Sequence, residues 1–210
     1  MSDDTVLQPD WVAPHRTALV LIDMQMDFGS PDGEMAKRGA NVKPALAAVA
    51  RAEALVQGAR GAGVQIVFVR LLSHPGGDSA IAREAKARHG KDEPALCVEG
   101  TRGADFIGPQ PAPGDAVISK TQFSAFAHTG LAQQLHDHKI DTLVLAGLTT
   151  ECCVASSAWD AFERAFHVFI ASDACAAYEE SLHREALRAL QMSGATLGMA
   201  AQFSEIWENT

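Results

Sequence analysis

The sequence carries no surplus of basic charge: 17 Lys and Arg stand against 26 Asp and Glu, a net −9 spread along the chain. Nucleic acids and anionic membrane surfaces attract basic patches, so both are excluded as expected partners. No apolar run approaches membrane-spanning length. The start, Met1-Ser2-Asp3-Asp4, is acidic, and no basic region followed by an apolar stretch comes after it, so a secretory signal is not expected. The four cysteines (Cys97, Cys152, Cys153 and Cys175) show no CxxC spacing, and the one close pair is adjacent. That suits neither a disulfide framework nor a zinc knuckle, and points to a reducing, cytoplasmic setting with buried or reactive thiols. There is no internal repeat, no low-complexity tract, no GxSxG and no HExxH. Gly61-x-Gly63 closes a helical pattern instead of opening one and lacks a third glycine, so it is no dinucleotide fingerprint.

What is present reads as one ordinary globular domain. The chain has 210 residues, 47% hydrophobic and 20% charged, enough to bury a real core. Residues 1–16 are polar, contain Pro9 and Pro14, and read as an extended N-terminal arm. Short continuous apolar runs follow at 17–22, 64–69, 116–119, 142–146 and 168–170, with a further apolar piece at 196–199. Such runs are expected of strands buried on both faces. Helical patterns separate them, at 41–60, 79–88, 129–138, 155–165 and 179–192. Alternation of this kind predicts βαβ units and a three-layer α/β/α architecture. The expected sheet is doubly wound and mainly parallel, of about six strands, with helices on both faces. In such sheets ligands bind beyond the carboxyl ends of the strands. The loops at 71–79 and 90–112 are candidates for carrying specificity.

Chemically competent residues at three strand ends fall on that edge. Asp23 ends the first strand, Lys120 ends the third, and Cys152 and Cys153 follow the fourth. A cysteine in the first turn of a helix lies near unpaired N–H groups and the positive end of the dipole, which favour thiolate. An aspartate in apolar surroundings can serve as base, and a lysine can hold it and stabilise charge on an attacked substrate. Singly, each has an ordinary reading: a turn residue, a surface charge, a small buried hydrophobe. Their coincidence on one edge favours catalysis by one of the two cysteines.

Three segments then carry a family resemblance: Leu21-Ile22-Asp23-Met24-Gln25-Met26-Asp27-Phe28, Lys120-Thr121-Gln122-Phe123-Ser124-Ala125-Phe126 with Thr129, and Gly147-Leu148-Thr149-Thr150-Glu151-Cys152-Cys153-Val154. With Glu99-Gly100-Thr101 and Gly103-Ala104-Asp105, they resemble the isochorismatase-like cysteine hydrolases over about residues 17–200. That family includes nicotinamidase, N-carbamoylsarcosine amidase, ureidoacrylate amidohydrolase and biuret hydrolase.

The resemblance implies a triad of Asp23 as base, Lys120 and the nucleophile Cys153, which stands six residues after Gly147 and before a valine. It leaves Cys152 at a variable position. It implies a cis peptide at Leu148–Thr149 and an oxyanion hole from the N–H groups of Thr149 and Cys153. Phe28, Gln122, Phe123, Phe126 and Arg70 are candidate substrate contacts, with Trp159 a further aromatic; each has a plain structural reading too. Gln25 and Asp27 read as partners that orient the Asp23 loop.

The activity implied is cleavage of a small linear amide or ureido compound through a thioester, releasing ammonia, in a homodimer or homotetramer. True isochorismatases lack the cysteine. Nicotinamidases place an Asp-x-His metal motif after the second strand, where this chain has only His74, so no metal and no cofactor are expected. The alternatives are a metal-dependent nicotinamidase-like deamidase and a non-catalytic binding or assembly member of the fold.

Overall fold

The structure, a computed structural model, describes residues 6–74, 80–90 and 93–210. Residues 75–79 and 91–92, which belong to the two candidate specificity loops, and residues 1–5 of the arm lie outside the described part.

Six strands form one sheet: β1 (Thr17–Ile22), β2 (Gln65–Leu71), β3 (Ala116–Lys120), β4 (Thr142–Leu148), β5 (His167–Ala176) and β6 (Thr196–Gly198). Their order is β3-β2-β1-β4-β5-β6, and every neighbouring pair is parallel. The helices are α1 (Met26–Gly29), α2 (Glu34–Lys37), α3 (Lys43–Gly61), α4 (Ala80–Arg88), α5 (Leu131–Asp137), α6 (Ala155–Glu163), α7 (Glu180–Met192) and α8 (Ala200–Glu208).

Side-chain alternation sorts the strand residues into two cores. Ala18, Val20 and Ile22 of β1, with Leu143 and Leu145 of β4, face Leu131 and Leu135 of α5, Ala158 and Ala161 of α6, and Leu187 and Leu190 of α7. Leu19, Leu21, Val144 and Ala146 face the opposite way, against Ala52, Leu55 and Val56 of α3 and Phe203 and Trp207 of α8. Because β1 is central and covered on both faces, all six of its residues are buried. This is the three-layer arrangement expected.

Three elements depart from expectation. Among residues 6–16 the chain makes two 3₁₀ turns, Pro9–Val12 and Pro14–Arg16, in place of an extended arm. Val12 is buried and its carbonyl accepts the Trp207 indole N–H at 2.9 Å. The expected apolar run at 168–170 is the first part of a ten-residue strand, β5, whose pairing with β4 shifts register between Leu145 and Gly147. Finally, the C-terminal segment is a helix, α8, held by burial of Phe203 and Trp207 one turn apart. No helix among the described residues is long and apolar enough to cross a membrane.

Candidate active site

Asp23 follows β1 directly. Its N–H still donates to Val69 O of β2 (2.9 Å), after which a φ of +52° turns the chain off the sheet. An aspartate tolerates this left-handed conformation at a cost of about 1–2 kcal/mol. The turn is supported from below by Gln25, which is fully buried: its amide donates to Leu71 O and Ala104 O (2.9 Å each) and accepts from Leu71 N–H (2.8 Å). Asp27 accepts from the backbone N–H of Cys97 (2.7 Å) and Glu34 (3.1 Å), drawing the 93–105 segment onto the same edge.

Lys120 is the last residue of β3, two strands from β1, and its side chain is sealed from solvent like that of Asp23. The three N–H donors of its ammonium have three neighbours: Asp23 Oδ2 at 2.7 Å, Gln122 O at 2.9 Å and Cys153 Sγ at 3.5 Å. The approach to Asp23 is an ion pair without hydrogen-bond alignment, and neither carboxylate oxygen accepts an aligned hydrogen bond. A carboxylate so placed resists ionisation. Burial raises its pKa, with Lys120 and Cys153 opposing. Burial also works against the Lys120 ammonium, but the neighbouring Asp23 and the contact with Cys153 outweigh it and the net shift is upward. The Cys153 thiol is pushed far up, first by its contact with the Cys152 thiol and then by burial and the Asp23 charge.

Cys153 reaches this pair from a single π-helical turn, Thr150–Val154, that joins β4 to α6. Turns of this type recur at functional sites. Gly147, at φ +142°, allows the approach of β4 to β1: a Cβ there would stand 2.1 Å from Ile22 O, the residue before Asp23. The Leu148–Thr149 peptide is cis. Cys152 and Val154 donate to Thr149 O (3.2 Å each). Cys152 is half-buried beside the α6 layer.

Sequence reasoning missed the residues that hold Lys120 and Cys153 in register. Ser157, fully buried on α6, donates to Cys153 O (2.7 Å) and accepts from Ala125 N–H (2.9 Å). Ser124 donates to Asp160 (2.7 Å). The loop after β3 is thereby fastened to the helix after β4. The available signal was a serine one helical turn beyond the cysteine. Tyr178 and His183 were missed as well. The Tyr178 hydroxyl donates to Phe28 O (3.0 Å), and His183 Nδ1 lies 2.8 Å from Thr150 Oγ1.

The candidate substrate contacts divide. Phe28 is buried at the sheet's carboxyl edge in a small apolar cluster with Leu72, Cys97 and Leu148. Gln122 and Phe123 are exposed on the loop after β3, and only the Gln122 carbonyl meets Lys120. Phe126 is placed in the core instead, stacked on Phe166 with centroids 5.8 Å apart, because its loop turns inward to reach Ser157. Arg70 donates to Ser119 Oγ (3.1 Å) and lines a surface depression of about 340 Å³ with Glu99, Thr101 and Arg102, a lining that does not include Asp23, Lys120 or Cys153. Trp159 is exposed on α6 against Phe162.

The nicotinamidase-type metal does not fit the donors present. His74 Nδ1 pairs with Glu99 at 3.0 Å on the surface, and among the described residues no three His, Cys, Asp or Glu side chains are grouped to hold an ion.

The model of the isochorismatase domain matches residues 17–202. A ureidoacrylate amidohydrolase of Methylobacterium radiotolerans is 30% identical over 196 residues, 86% of this chain and 75% of the relative. A maleamate amidohydrolase of Pseudomonas putida is 33% identical over 159 residues, 74% of this chain and 70% of the relative. Among solved structures, an isochorismatase family protein from Desulfovibrio vulgaris superposes with a TM-score of 0.78 at 29% identity, covering 92% of this chain and 98% of that one.

Proposed function

This chain belongs to the isochorismatase family, and from that premise we propose that it is a cysteine hydrolase of small linear amides or ureido compounds, with Asp23, Lys120 and Cys153 as its triad. The observation that carries the reading is the buried contact of three unlike groups from three different strand ends: Lys120 Nζ at 2.7 Å from Asp23 and 3.5 Å from Cys153 Sγ. Burying a lysine and an aspartate costs several kcal/mol per ion. A purely structural role would be served as well by apolar side chains of similar volume. The named activities of the amidohydrolase relatives support the choice of a C–N bond.

In the proposed sequence, Asp23 takes the Cys153 proton as Sγ attacks the carbonyl carbon. Ionisation of Cys153 is unfavourable in the resting site, so the proton moves together with attack. The negative charge passes from Asp23 to sulfur and then to the carbonyl oxygen, which the Thr149 and Cys153 N–H groups receive. Lys120 remains charged throughout and balances each state in turn. Protonated Asp23 then gives its proton to the departing nitrogen, releasing ammonia and leaving a Cys153 thioester. Asp23 next deprotonates a water that attacks the thioester carbonyl. The acid product departs, and the proton returns to Cys153. No step passes through a metal.

The test compares Cys153→Ala with Cys152→Ala for ammonia release on a panel of small amides. Cys153→Ala is expected to abolish turnover, while Cys152→Ala stays within about tenfold of the parent, since removing single oxyanion-hole donors already costs about 10²–10³ and the nucleophile more. Equal activity of Cys153→Ala and the parent rejects the reading. A thioester adduct trapped on the Cys153 peptide by acid quench supports it.

A further inference from the structure

Tyr178 is the single tyrosine of the chain. It lies just after β5, half-buried, and its hydroxyl donates to the carbonyl of Phe28, 150 residues away and just after β1, at 3.0 Å. In the sheet, β1 and β5 are the two neighbours of β4. A bond between the segments that leave both flanking strands therefore passes across the carboxyl end of β4, where the chain enters the turn bearing Cys153. Cys153 itself is only 7% exposed, with Asp23 and Lys120 beneath it at 0% and 1%. Phe28, Leu72, Cys97, Leu148 and Ala176 form an apolar cluster on this same edge. Burial, then the nearby charge of Glu151, hold the Tyr178 hydroxyl in its donating, protonated form.

We propose that the Tyr178–Phe28 bond is the limiting wall of the acyl pocket, and that it confines turnover to amides with a short acyl group. A longer acyl chain has to break this bond and displace the segments after β1 and β5 together. The aromatic ring is rigid and its hydroxyl is anchored, so the wall does not yield by rotamer change alone. The inference rests on Cys153 as nucleophile, and it makes Tyr178 a determinant of specificity and not a member of the triad.

Two measurements separate failure of the wall from failure of that reading. In a Cys152→Ala background, alkylation of Cys153 is followed by peptide mass with iodoacetamide and with the bulkier N-benzyl iodoacetamide. The parent is expected to favour the small reagent by tenfold or more. Tyr178→Phe, which removes one oxygen, reduces that preference at least threefold, and Tyr178→Ala reduces it further. In parallel, the ratio of kcat/KM for acetamide over hexanamide falls at least fivefold in Tyr178→Phe. An alkylation preference within twofold of the parent in both Tyr178 variants overturns the wall. If Cys153→Ala still releases ammonia, the nucleophile assignment fails, while the alkylation ratio continues to report on the wall.

Discussion

Lys120 Nζ stands 2.7 Å from Asp23 Oδ2 with both side chains fully removed from solvent, at the ends of strands separated in the sheet by β2. The two charges are tolerable only together. Lys120→Met leaves the Asp23 carboxylate buried and unpaired, a loss expected to cost about 3–5 kcal/mol. Adding Asp23→Asn should recover most of that stability and none of the activity. Denaturant midpoints of the two singles and the double, read beside ammonia release, check the coupling. A Lys120→Met protein as stable as the parent contradicts it.

The pH profile follows from the same pair. Burial holds the Asp23 carboxyl above its ordinary 3.8, with Lys120 opposing. A base has to be ionised, so the acidic limb of kcat/KM is expected to be centred above pH 3.8. The native state then holds this proton more tightly than the unfolded chain does. Asp23's contribution to stability is therefore full below 3.8 and declines as pH rises through the raised value. Asp141 has the opposite sign. Burial raises its pKa, but hydrogen bonds from Arg16 and Thr142 outweigh that and hold it low, so its contribution is lost as pH falls. Rate profiles of the parent, with unfolding midpoints of the parent and Asp23→Asn across pH 4–7, test the assignment. An acidic limb at or below 3.8 would falsify Asp23 as the base.

Ser157 fastens two loops through one hydroxyl, from Ala125 N–H and to Cys153 O. Ser157→Ala strands a buried donor, at about 1–3 kcal/mol. It is expected to lower the melting temperature by several degrees and to reduce kcat more than KM, because Lys120 and Cys153 lose their shared register. A Ser157→Ala enzyme with unchanged kcat would show that the rest of α6 is sufficient.

The surface pairing of His74 with Glu99 leaves no donor set for an ion among the described residues. Prolonged dialysis against a chelator is expected to leave ammonia release unchanged, and elemental analysis to find no stoichiometric transition metal. Loss of activity with recovery on adding zinc would favour the metal-dependent deamidase instead.

Much of this architecture was legible without coordinates, for a local reason. A strand covered on both faces must be apolar at every position, so Thr17–Ile22 and Thr142–Ala146 mark themselves, and Asp23 and Lys120 stand out as the polar residues that end such runs. Less legible were elements stabilised by distant surface. The helix at Ala200–Glu208 is held by the sheet and α3, and the turns at 9–16 by Trp207. Phe126 had the same sequence signal as Phe28, an aromatic shortly after a strand end, yet only Phe28 stayed at the edge.

The sequence by itself determined the alternation of strands and helices, the edge on which chemistry could occur, and the residue types available there, because period, length and polarity are properties of neighbours along the chain. Only the tertiary structure decided that Lys120 meets Asp23 and Cys153 at once, that Ser157 ties the two loops, and that Tyr178 reaches across β4 to Phe28. Those contacts join residues 32 to 150 positions apart, and their geometry depends on strand order and on a few tenths of an ångström at the strand ends. No local pattern carries that information.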